Sequence, residues 1–141
     1  MPTDPRNHPG RSPLVASGAT ELAAAALTGW VYTLCRQQPD VARSLGIKSV
    51  PRIRQWHLDL AALGTASIAA GLAAPDASRT ATNALRVGAW TNAMAFLPLA
   101  FKPDIDEHPA YIAAVTASFT ATTVGFCGIA AAARRARRTA R

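Results

Sequence analysis

The sequence predicts an all-α fold, an integral membrane four-helix up-down bundle, and three observations predict it. Four stretches are almost free of charge, while the charged residues gather in the tails and connections. Each stretch is long enough to cross a hydrocarbon layer of about 30 Å at about 1.5 Å per residue. Neighbouring stretches are separated by connections that contain proline, a residue that interrupts regular structure.

At 141 residues the chain has the length of one domain. Half of its residues are hydrophobic and only 16% are charged, which a soluble helical bundle also permits; the segregation of the charges decides for a membrane protein. Alanine rather than leucine supplies the apolar character, so the mean hydropathy is only +0.11. The net charge of +7 comes largely from Arg134, Arg135, Arg137, Arg138 and Arg141. A basic run directly after a span reads as a topology signal, and no nucleic-acid partner is expected from it. Cys35 and Cys127 lack a CxxC partner and read as small apolar fillers.

Residues 1–13 are polar and proline-rich, the pattern of a disordered N-terminal tail. They lack the hydrophobic run of a cleavable signal, so the first span is expected to direct insertion. That span is placed at 14–35, and Glu21 is its one charge. Either the helix is shorter, 21–35, with the glutamate in its first turn near the positive end of the macrodipole, or Glu21 lies within the span and needs a partner. Trp30 and Tyr32 mark the far interface.

The connection 36–54 carries Arg36, Arg43, Lys48, Arg52 and Arg54, with Pro39, Gly46 and Pro51 as breakers and a short surface helix expected at 41–45. The second span, 56–74, opens on Trp56-His57-Leu58-Asp59 and ends at Pro75-Asp76. On a helix His57, Ala61, Gly64, Ile68 and Gly71 share a face, mostly small or polar, that a neighbouring helix or a flat ligand can approach.

The third span, 82–101, holds Arg86, Trp90 and Asn92. Arg86 and Trp90 are four apart, the spacing of a cation–π contact. Pro98 frees the carbonyl of Met94 and predicts a kink. Pro109 opens the fourth span, 110–133, where Ser118, Thr122 and Gly125 form a small, polar face; 134–141 is the basic C-terminal tail.

In an up-down bundle Trp30, Tyr32, Trp56, Phe101 and Tyr111 fall at one end, and a pocket near His57 opens there. The arginine tail places both termini on the cytoplasmic side of the cell membrane, with the basic first connection outside, held by structure or an anionic ligand. The same layout puts Glu21 and Arg86 at comparable depth and predicts that they pair.

Chemically, the chain has no Ser-His-Asp order, no HExxH helix and no glycine-rich phosphate loop. One histidine in a small-residue groove remains. Its structural reading is an interfacial histidine bonded to solvent or a carbonyl. Its functional reading is axial ligation of haem iron, with Gly64 leaving room for the macrocycle and Arg52 and Arg54 holding propionates.

His57-Leu58-Asp59 with Gly64 seven residues on, followed by Gly88-Ala89-Trp90-Thr91-Asn92, resembles the hydroxylaminobenzene mutase and styrene oxide isomerase group of small four-span membrane enzymes. The resemblance covers 56–101. It implies an oligomeric enzyme, trimer or dimer, that rearranges a small apolar or aromatic substrate intramolecularly; in the isomerase branch it also implies haem b held by the residue matching His57. Gly64 matches the motif glycine, and Trp90 and Asn92 match the span-three pair as candidate catalytic residues. The chain departs from the pattern at Leu63, Gly88 and Phe96, where the family keeps an asparagine, an acid and a tyrosine. Two alternatives stand beside this reading: a small multidrug-type exporter coupling protons through Glu21, and a non-catalytic membrane subunit whose arginines bind lipid headgroups.

Overall fold

The computed structural model describes residues 12–139. They form six α-helices and no strand: α1 Pro13–Gln37, α2 Pro39–Ser44, α3 Val50–Ala73, α4 Arg79–Met94, α5 Phe96–Phe101 and α6 Pro109–Thr139. A 3-10 turn at Pro103–Glu107 links the last two. Two helices, α1 and α6, are long and apolar enough to cross a membrane.

Glycines set the architecture. A Cβ built on Gly18 of α1 would stand 2.5 Å from the Gly64 carbonyl oxygen of α3, and one on Gly64 would stand 2.8 Å from the Gly18 oxygen. Gly71 packs on Val15 in the same way, so α1 and α3 run antiparallel with their backbones in contact, as small residues permit. A second hairpin repeats the device. Gly88 of α4 faces Thr122 of α6, and Gly125 and Gly128 of α6 face Leu85 and Ala81. The two hairpins are joined through α4: Trp90 Nε1 donates to Ser17 Oγ (3.1 Å) and Trp56 Nε1 to Met94 Sδ (3.3 Å).

Several boundaries differ from expectation. Pro51 does not break the chain but occupies the first turn of α3, where its missing N–H costs nothing; α3 therefore starts before Trp56 and His57 sits two turns inside. Pro39 opens α2 in the same manner. The shortened first helix is overturned as well, because α1 begins at Pro13 and Glu21 lies in its third turn. The tail beyond 133 continues α6 as helix to Thr139, alanine and arginine both being strong helix formers. Of the expected disordered tail, 1–11 lie outside the described residues, and Pro13 is already helical.

The kink falls where expected. The third span divides at Ala95 into α4 and α5, and Tyr111 Oη donates to the Ala95 carbonyl at 2.8 Å, tying the bend to α6. The aromatic end is folded rather than loose: Tyr32, Trp56 and Leu97 pack around buried Cys35, Ala42, Ile47, Ile53 and Ala100. The N–H groups of Lys48 and Ser49 both donate to the carbonyl of Ala100, fixing the first connection to α5.

Candidate functional site

His57 is positioned by α1. Its Nδ1 lies 2.9 Å from the Ala25 carbonyl, which only accepts, so Nδ1 carries the proton and Nε2 is the acceptor nitrogen. Thr28 Oγ1 donates to the same carbonyl (2.9 Å). Gly29 brings the α1 backbone against the imidazole, a Cβ there standing 3.3 Å from Cε1, and Tyr32 lies nearly parallel to the ring at 6.5 Å between centroids. The histidine ties α3 to α1.

The haem cradle expected around it does not form within the chain. The clearance assigned to Gly64 is filled by α1, since a Cβ there would meet the Gly18 oxygen at 2.8 Å and Glu21 Cβ at 3.0 Å. Arg52 lies over the Phe96 ring at 5.9 Å and donates to Gln55 Oε1 (3.3 Å), and Arg54 is exposed. The donor nitrogen of His57 suits iron, but the space for a macrocycle is taken by backbone. These residues do not fit the group as a set. Among the described residues no three His, Cys, Asp or Glu side chains gather as metal ligands either.

A different polar centre lies where α1 meets α3 and α4. Glu21 is 0% exposed, yet no basic group among the described residues bonds its carboxyl. Ser17 Oγ stands 3.5 Å from Glu21 Oε1 and accepts the 3.1 Å bond from Trp90. Among the described residues three buried side-chain atoms lack a hydrogen-bond partner, Glu21 Oε2, Ser67 Oγ and Arg86 Nε, one from each of α1, α3 and α4. Such atoms ordinarily cost about 1–3 kcal/mol each and ask for an explanation. Ser67 is also fully buried and lies one turn after Gly64, the residue packed on Glu21.

The expected Glu21–Arg86 pair is not made. Among the described residues the only ion pair joins Asp40 and Arg43; Arg86 Nη1 instead donates to Asn83 Oδ1 one turn earlier on its own helix (3.2 Å). Nor does Arg86 stack on Trp90, whose indole is turned to Ser17. Arg86 and Trp90 still share a space with Ser17: together with Asn83, Val87 and Thr91 they line an open groove of about 640 Å³.

Of the candidate residues, then, Trp90 and Arg86 face a common groove with Glu21 behind Ser17. His57, Gly64, Arg52 and Arg54 do not join them. Asn92 is half-buried and lines neither this groove nor the neighbouring apolar cleft described below. Sequence reading missed Ser17, Ser67 and Asn83; the available signal was Ser17 one helical turn before the one acid of an apolar stretch. No protein-family model, curated protein or solved structure matches the chain.

Proposed function

We propose that this chain is a four-span integral membrane protein that rearranges a small apolar or aromatic substrate at the Ser17–Trp90–Arg86 groove, with Glu21 as the proton-transferring acid. One observation carries the reading: a fully buried carboxyl group with no counter-charge among the described residues, separated from the groove by a single hydroxyl. Ionisable groups in such positions are costly and mark functional sites by default.

The distribution of side chains supports four spans. Large apolar groups point outward on every long helix, including Leu27 (71% exposed), Leu72 (50%), Val87 (59%) and Phe119 (50%), while the interior holds alanine, a few leucines and isoleucines, glycine, serine, threonine and Glu21. That is the arrangement expected when lipid is the solvent. Cell-membrane localisation with both termini cytoplasmic, and an oligomeric assembly, belong to the same proposal.

An intramolecular rearrangement adds and removes no atoms and needs no co-reactant. For an epoxide, the carbon–oxygen bond breaks with its electron pair going to oxygen as the oxygen is protonated. A hydride moves to the vacated carbon, and the oxygen returns its proton as the carbonyl forms. Glu21 gives and recovers that proton through Ser17, whose position Trp90 fixes. Arg86 in the groove wall offsets negative charge developing there. General acid catalysis of this kind contributes about 10²–10⁴-fold.

The test is product formation from styrene oxide and from hydroxylaminobenzene by the purified protein in detergent. Turnover of one of them, lost in Glu21→Gln, supports the reading; no turnover of either overturns it. The same carboxyl favours a second reading, proton-coupled export. Resistance to toxic cations that depends on Glu21, without turnover of either substrate, would establish that reading instead.

A further inference from the structure

Beside the groove, toward the kink, a second space opens between α4–α5 and α6. It is a cleft of about 380 Å³ whose walls include Thr91, Met94, Pro98, Tyr111, Val115 and Ala121. Its hydroxyls are engaged with the protein. Thr91 Oγ1 and Ser118 Oγ bond each other at 2.8 Å, and Tyr111 donates to the Ala95 carbonyl. A ligand with polar groups along its length finds no free partner in these hydroxyls, so the walls favour hydrocarbon.

The shape is informative. From Val87 to Pro98, the ends of its α4–α5 wall, is about 16 Å at about 1.5 Å per residue, so the cleft is longer than a single ring. Val87 and Thr91 line both the cleft and the polar groove, so the two spaces overlap along the outer face of α4. The groove end supplies what the cleft lacks, the guanidinium of Arg86 and the amide of Asn83, both complementary to an oxygen.

We infer that the ligand is an elongated hydrocarbon, alkyl or aryl, up to about 16 Å long and oxygenated at one end. Its apolar body lies in the cleft, and its oxygen reaches past Val87 to Trp90 and Arg86. The inference rests on the groove being the substrate site and deepens it, because a molecule of one benzene ring occupies only a fraction of this length.

The experiment uses unreactive alcohols, so that binding is read without turnover. Dissociation constants of 2-phenylethanol and 1-decanol are measured by calorimetry on the full-length protein in one detergent, for wild type, Ala117→Phe and Ala114→Phe. Both alanines line the cleft and are exposed, so phenylalanine fills the space without entering the core. The expected result is at least tenfold tighter binding of 1-decanol than of 2-phenylethanol by wild type, a gap that shrinks below threefold in both variants. An equal gap in all three proteins reports partition into the micelle and overturns the inference. A gap that closes in the variants, in a protein that turns over no epoxide, keeps the cleft and removes the isomerase reading. Turnover with no such gap does the reverse.

Discussion

Gly64→Ala separates two accounts of the segment that opens α3. Had Gly64 faced a ligand, one added methyl would leave folding intact and reduce binding. In the structure that methyl stands 2.8 Å from the Gly18 carbonyl oxygen and 3.0 Å from Glu21 Cβ, where ordinary contact begins at 3.4 Å. The helices must therefore separate by about 0.6 Å, and the first obstacle is backbone that cannot rotate away. Overpacking of this kind costs about 1–3 kcal/mol, against which alanine's better helix propensity returns about 1 kcal/mol. The expected net loss is up to about 2 kcal/mol, and it is larger for Gly18→Ala, whose Cβ would meet the Gly64 oxygen at 2.5 Å. Gly29→Ala is the control: its nearest obstacle is the edge of the His57 ring at 3.3 Å, a side chain that can give. Reversible unfolding in mixed micelles, followed by tryptophan fluorescence, measures all three. A Gly64→Ala protein as stable as Gly29→Ala would refute the packing argument.

Two further outcomes follow from contacts already described. Glu21→Gln and Arg86→Gln should act independently, their double-mutant stability matching the sum of the singles within about 0.5 kcal/mol in the same assay, because the two groups bond different neighbours; a larger coupling would restore the ion pair. His57→Ala removes the bond to the Ala25 carbonyl and the contact with Gly29, and should cost about 1–3 kcal/mol, the order for losing a partner of a buried polar group. Protein made with ample haem should show no Soret band that depends on His57, and a dependent band would contradict the packing at Gly64.

What could be read from the chain, and what could not, divides along a physical line. Uncharged length located α1 and α6, and Pro98 located the division between α4 and α5, because both signals are local. Pro51 misled for an equally local reason: proline is excluded from helix interiors but welcome in the first turn, and the sequence does not announce which applies. The tail after 133 misled because the apolar run stops where the arginines begin while the helix continues to Thr139.

The site was harder to read because it depends on azimuth. Depth along a span put Glu21 and Arg86 level, but the rotation of α4 turned Arg86 to Asn83 and the groove. Small residues at Gly64 announce room, and only the matching Gly18 on the antiparallel helix says that a backbone occupies it. The partner of His57 is a carbonyl oxygen, a group every residue carries, so no residue type marks it. Trp90, a candidate catalytic residue from the sequence, lines the groove, and its indole bonds Ser17 rather than stacking on Arg86.

The most direct test of the central claim is the turnover number for the rearranged product in wild type, Glu21→Gln and Glu21→Asp. Glutamine preserves shape and removes only the acid at a site that has no ion pair among the described residues, so folding should be unaffected. The account predicts a fall of about 10²-fold or more for Glu21→Gln, with part of the rate retained by Glu21→Asp. Equal rates for wild type and Glu21→Gln would contradict it.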